Sequence, residues 1–290
     1  MKTAIVTDSN SEISQSEANR LGVFVLPMPV IIDGHAYYEG LDLLSDQFFL
    51  ALTQHRAVST SQPSPGDVTA LWDRVLSEYD ELVYIPMSSG LPSSCATAKI
   101  LAKDYAGKVF VVDNHRISVT QKASVLDALA LREEGVGAWE IQQELEDSAF
   151  DSIIYIGVET LEYLRKGGRV TARTAAISTV LQIKPLLKVE GELLDVYAKV
   201  RGTIGCKKRL MEAIRQDAEQ YAAKWDIDVG AASSYADICA AENWRETVSE
   251  SFSQYHISCA PLTFSISSHV GPDAFGMAVT RRLARAKEEV

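Results

Sequence analysis

Cysteine and histidine are scarce in this chain, with four and five among 290 residues. Cys95, Cys206, Cys239 and Cys259 lie too far apart in sequence for a CxxC redox pair or a zinc ribbon, and isolated buried thiols in a reducing compartment are the expectation. His35, His55, His115, His256 and His269 form no HxH or HExxH pattern. Neither a metal site nor a cofactor is expected. The chain also lacks any apolar run approaching the ~20 residues that span a bilayer. After Met1-Lys2 one short apolar stretch runs straight into a polar loop, without the long apolar core of a signal peptide, so a cytoplasmic protein is expected. Basic residues are outnumbered, 28 Lys and Arg against 39 Asp and Glu, for a net charge of -11. That balance argues against a nucleic-acid partner and makes any local cluster of cations conspicuous. There is no P-loop, no GxGxxG after a strand and no GxSxG elbow.

What is present is ordinary globular composition, 47% hydrophobic and 23% charged, in an alternating α/β rhythm. Residues 3–6, 82–86 and 109–112 read as buried strands, and residues 14–21, 45–55, 66–77, 93–103, 117–132 and 138–147 as helices. Residues 24–32 read as a strand broken by prolines, before a turn at Asp33-Gly34. A break near 147–151 precedes a strand from Ile153 to Val158. Further on, residues 181–189 and 193–200 flank a hairpin turn at Gly191-Glu192. A helix near 207–224 follows, then strands at 229–232 and 262–266 with a helix between them, and a last helix over 274–287. The pattern predicts two α/β domains, 1–150 with a mostly parallel sheet flanked by helices and 151–290 with a mixed sheet and helices.

Three hydroxyl-rich loops stand out: Thr7-Asp8-Ser9-Asn10-Ser11, residues 59–65 and residues 88–94. Loops at the carboxyl ends of parallel strands are where open α/β folds bind ligands, and hydroxyls together with helix-start N–H groups suit an oxyanion. Ser64-Pro65 is a helix start, with serine as cap and proline at the first helical position. Capping needs one hydroxyl, whereas residues 58–64 supply four, so the extra ones, Ser59, Thr60 and Ser61, are candidates for an acidic ligand's head. In the third loop Ser93 or Ser94 suits a cap, Ser88 and Ser89 have no capping task, and Gly90 permits close backbone approach. Asp8 follows a strand as a phosphatase nucleophile does, but two positions on stands Asn10 rather than a second acid. A turn-ordering or capping aspartate is therefore the expectation. Arg165, Lys166 and Arg169 surround Gly167-Gly168, a bend that can aim an arginine fork at a carboxylate or phosphate. His269 is placed after a strand, beside a turn.

Taken together, Thr7-Asp8-Ser9, Thr60-Ser61-Gln62-Pro63-Ser64, Ser88-Ser89-Gly90-Leu91, Val112-Asp113, residues 163–170, Lys184-Pro185 and His269-Val270-Gly271-Pro272 resemble the DegV family of bacterial fatty-acid-binding proteins over nearly the whole chain. The resemblance implies two α/β domains with a long-chain fatty acid buried between and within them. It implies a carrier without catalytic residues of its own, whose bound carboxylate a separate fatty acid kinase subunit phosphorylates for phospholipid synthesis. Brief contact with a membrane surface is compatible with that role. Thr60 and Ser89 match positions whose hydroxyls hold the carboxylate, and Arg169 and His269 match polar residues important for phosphotransfer. Ser61, Ser93 and Ser94 complete the expected binding set. The chain departs from the family pattern at Pro92-Ser93-Ser94, where Ser-Gly-Thr or Ser-Gly-Ser is usual, and at Asp273, where glycine is common. Pro92 removes a backbone N–H and Asp273 adds a negative charge, so both are expected to alter the head-group site. The alternatives are a lipid storage or sensing protein without a kinase, and a hydrolase using Ser89 or Ser94, against which the lack of an evident base counts.

Overall fold

The computed structural model describes residues 1–87, 94–170, 174, 183–190 and 193–283. Strands β1 (Thr3–Asp8), β2 (Val23–Leu26), β6 (Glu81–Ile85) and β7 (Val109–Val111) form a four-stranded parallel sheet in the order β2-β1-β6-β7. β1 and β6 are buried at every position, which is why they read as unbroken apolar runs. Alternate residues point to opposite faces. Ile5, Val83 and Ile85 pack against helices α5 (Val119–Glu133) and α6 (Ala138–Asp147), while Ala4, Val6, Leu82 and Tyr84 pack against α3 (Pro65–Leu76) and α4 (Ser94–Leu101). Helix α1 (Gln15–Leu21) starts on a Ser14 cap and joins the first of these clusters through Ala18.

The run at residues 24–32 divides between two sheets. After β2 the chain passes Pro27 and enters β3 (Pro29–Ile32), the centre of a three-stranded antiparallel sheet ordered β4-β3-β5 with β4 (His35–Tyr38) and β5 (Val58–Thr60). The turn at Asp33-Gly34 is present, with φ of 50° and 84°, the left-handed pair that a two-residue hairpin needs. Helix α2 (Ser45–Thr53) buries Phe48 and Phe49 beneath this small sheet.

The remaining strands form one mixed six-stranded sheet. They are β8 (Ser152–Gly157), β9 (Ile183–Glu190), β10 (Leu193–Arg201), β11 (Ile227–Ser233), β12 (His256–Pro261) and β13 (Phe275–Arg281), ordered β10-β9-β8-β13-β11-β12. Only β11 and β12 pair in parallel. The expected turn at Gly191-Glu192 lies outside the described residues, and β9 and β10 on either side of it pair antiparallel. One face of the sheet is covered by α8 (Thr203–Ala222) and α9 (Ile238–Ser251), the other by α10 (Phe264–Val270) and the start of α5.

Two expectations for the second half are corrected. Residues 262–266 do not form a strand: the strand is β12, just before, and α10 follows from Phe264. Leu262, Ile266 and Val270, four apart, share one cluster, a helical period that the short apolar run concealed. Residues 275–281 form a strand rather than part of a helix. β13 lies in the middle of the sheet and is buried through Thr280, so its Gly, Met and Ala positions carry no alternation. His269 accordingly sits in the last turn of a helix, not after a strand.

Candidate functional site

A cavity of about 140 Å³ lies where the two large sheets and the small one meet. That is well above the roughly 10–15 Å³ that admits one water. Its walls are Ile117 and Val119 at the head of α5, Ile154, Ile156, Val189, Leu194, Ala232 and Met277 of the mixed sheet, and Leu262, Ile266 and Val270 around α10. Gly230 lets α5 approach this closely, because a Cβ there would stand 2.6 Å from Val119 Cγ2.

One end of the cavity is polar. Ser64 caps α3, accepting from the Asp67 N–H at 3.1 Å with Pro65 following, so the capping task is met by that residue alone. Thr60 is left free to close β5, where it pairs with Val30, and its Oγ1 stands 2.9 Å from His269 Nε2. Ser61 also lines the cavity, with its hydroxyl donating to Gln62 O at 3.1 Å. The His269 ring rests on Gly167, where any Cβ would collide with Nδ1, and the next turn rests on Tyr163, which Gly271 can approach only because it lacks a side chain. Burial, and secondarily the Arg169 charge, push the His269 pKa down to about 4, so the ring is neutral near pH 7. Arg169 is half-buried and lines the same space. Its Nη1 donates to Gly167 O at 2.8 Å, its pKa is lowered by burial, and no carboxylate among the described residues pairs with it. Ser94, the first residue of α4, also lines the cavity. It is buried, and its Oγ has no hydrogen-bond partner among the described residues.

Thr60, Ser61, Ser94, Arg169 and His269 thus line one cavity. Ser89, Ser93 and Pro92 lie outside the described residues. Asp8 is wholly buried, accepting from the N–H groups of Asn10 and Met87 at 2.9 and 2.7 Å and from Gln121 Nε2 at 3.2 Å. It ties β1 to the end of β6 and to α5, the ordering role expected of it. Asp273 does not line the cavity: it lines a separate hollow with Glu159, Tyr235 and Lys207. Cys239 is exposed, unlike the buried Cys95 and Cys206.

Sequence reasoning missed the cavity's apolar wall and the residues that bend the chain around it. His115 and Ser118, both lining residues, have φ of 54° and 60°, left-handed values that nothing in their composition announces. Ser118 donates to the buried Glu12, whose carboxyl burial pushes up to about 8.

A family model described as DegV, uncharacterised proteins, matches residues 2–282. A DegV domain-containing protein of Deinococcus radiodurans is 30% identical over 283 residues, covering 96% of this chain and 98% of that protein. A Thermus thermophilus structure, described as fatty acid binding of a DegV family protein, is similar with a TM-score of 0.85 at 29% identity, over 97% of this chain and 100% of the other. A fatty acid binding DegV family protein of Streptococcus agalactiae is similar with a TM-score of 0.83 at 25% identity, over 98% and 100%.

Proposed function

We propose that this chain, which belongs to the DegV family, binds one long-chain fatty acid and presents its carboxylate to a separate kinase for conversion to an acyl phosphate. The observation that carries this reading is a cavity with apolar walls whose polar end holds Thr60, His269 and an Arg169 that has no carboxylate partner among the described residues. The fatty-acid binding described for the Thermus and Streptococcus relatives supports it. The acyl chain takes the apolar part, where burial contributes about 0.8 kcal/mol per CH₂.

The head group follows from the hydrogen bonds. With its single proton on Nε2, neutral His269 donates to Thr60 Oγ1, and the threonine hydroxyl then donates to a carboxylate oxygen. The Ser94 hydroxyl, buried and without a hydrogen-bond partner among the described residues, is a second donor. Ser89, Ser93 and Ser61 belong to the proposed set as hydroxyls of the same loops. When the carboxylate oxygen attacks the terminal phosphorus of ATP held by the kinase, the bond from that phosphorus to the departing ADP breaks and negative charge grows on the transferring phosphoryl group, which Arg169, a fixed cation, is able to balance. In this reading the protein is a carrier with no catalytic residue of its own. For Ser94 the hydrolase reading is disfavoured, since it requires a base beside the nucleophile and no described residue partners Ser94 Oγ. Domains of 1–150 and 151–290 enclosing the ligand, cytoplasmic residence, brief contact with a membrane surface during loading, and no nucleic-acid partner belong to the same proposal. Among the described residues no helix is long and apolar enough to cross a membrane.

Binding measured over a ladder of saturated acids tests the reading. Affinity rises steeply with chain length until the cavity is full, by up to about 0.8 kcal/mol per CH₂. Thr60→Ala and Ser94→Ala each weaken binding by roughly 1.5–3 kcal/mol, the worth of a hydrogen bond to a charged group. A flat ladder, or both variants binding like the parent, contradicts it.

A further inference from the structure

The small antiparallel sheet touches α10 at both ends. At the start of the helix the Phe264 N–H donates to Glu39 Oε2 at 2.8 Å, and the Phe264 ring stacks on Phe48 with centroids 4.4 Å apart and planes 10° from parallel. At its end His269 Nε2 meets Thr60 Oγ1 at 2.9 Å. Glu39 directly follows β4, Thr60 ends β5, and both strands pair with β3. Seven helical residues rise only about 10 Å, so one sheet holds both ends of a short rod. Glu39 is itself held at a tight corner: Gly40 has a φ of 73°, and Tyr38 O accepts from the N–H groups of Leu41, Asp42 and Leu43.

We propose that Glu39 is a positioning residue for His269, its carboxylate fixing the start of α10 and thereby where the imidazole stands against Thr60. The functional meaning of this role rests on the reading of the Thr60, His269 and Arg169 end as the head-group site, while the positioning itself does not depend on a bound lipid.

Burial pushes the Glu39 carboxyl up to about 7, against the lowering effect of the Phe264 N–H. Glu12, in the turn after residues 9–11, is electrostatically coupled to Glu39, and Lys122 of α5 acts on Glu12 in turn. Asp42 lies in the same corner, its carboxylate accepting from the Tyr38 N–H, and Asp46 lies in the first turn of α2. On α10 the titratable group is His269, near which Arg169 stands. A carboxylate grips an N–H more strongly than a carboxylic acid does, so the helix start is held more firmly above pH 7 than below it. His269, with its pKa pushed down to about 4, does not itself titrate there.

The test is ¹⁵N NMR of the His269 imidazole in the full chain between about pH 6 and 8, a range in which an ordinary histidine would titrate. The parent shows a step in the ring shifts centred near neutral pH. Glu39→Gln, whose amide oxygen still accepts from Phe264, keeps the ring in place and loses the step. Glu39→Ala displaces the ring resonances at every pH. No step in the parent, a step that persists in Glu39→Gln, or unmoved resonances in Glu39→Ala overturns the proposal. If Glu39→Ala fails to fold, the Glu39→Gln series decides alone. Native mass spectrometry of the same samples separates the two claims. A lipid-free parent with the step intact refutes the proposed function only, and a lipid-loaded parent without it refutes the positioning role only.

Discussion

Gly167→Ala is the sharpest local perturbation of the polar end. Gly167 follows α7 (Glu162–Lys166) with φ -78° and ψ -8°, ordinary right-handed values, so alanine meets no backbone strain there. Alanine is in fact favoured over glycine in helical backbone by about 1 kcal/mol. The added Cβ would collide with His269 Nδ1, while the next backbone atom, Tyr163 O, is at an ordinary 3.4 Å. The imidazole must therefore retreat. A retreat of about 1 Å stretches the 2.9 Å contact to Thr60 beyond the range of a hydrogen bond. Losing that bond costs roughly 0.5–1.5 kcal/mol. Fatty-acid affinity accordingly falls about 2- to 10-fold, while the thermal midpoint moves little because the gain in helix propensity offsets the displaced ring. Calorimetric titration with a long-chain acid, beside a melting curve, reads both. A variant that melts like the parent and also binds like it would refute the assignment of the Thr60 and His269 pair to the head group.

Two further outcomes follow from the same geometry. Compared with the parent at lipid concentrations that give equal occupancy, Arg169→Ala and His269→Ala slow acyl-phosphate formation by a cognate kinase on the order of a hundredfold, as loss of one positioned group at a reaction centre does; unchanged rates at equal lipid occupancy would remove both from the mechanism. Glu12 is a buried acid whose folded pKa, about 8, lies above its ordinary value, so the folded state binds more protons than the unfolded one and loses stability as pH rises from about 4.5 to 8. Glu12→Gln keeps a partner for Ser118 and flattens that slope, which denaturant midpoints across the interval measure; an identical slope in the variant would place the titrating group elsewhere.

The parallel sheet was legible because β1 and β6 are buried on both faces and leave uninterrupted apolar runs. The α3 start was legible because Ser64-Pro65 carries its own mechanism. The polar end was half legible. Thr60 and Ser61 were among the hydroxyls beyond the needs of a cap, but the partner of Thr60, His269, lies 209 residues away and on an element misread as a strand end. The small sheet escaped notice because β5 has only three residues and β4 is largely exposed. Glu39 carries no local signal: its importance comes from a contact with Phe264, made only when the chain is folded. The strained positions at His115 and Ser118 are imposed by the path of the chain around the cavity, and local propensity does not encode them.

Native mass spectrometry of the protein purified from cells tests the central claim most directly. The account predicts a one-to-one adduct with the mass of a long-chain fatty acid, which Thr60→Ala retains less well. A chain that carries no lipid, and takes none up when a long-chain acid is supplied, would contradict it.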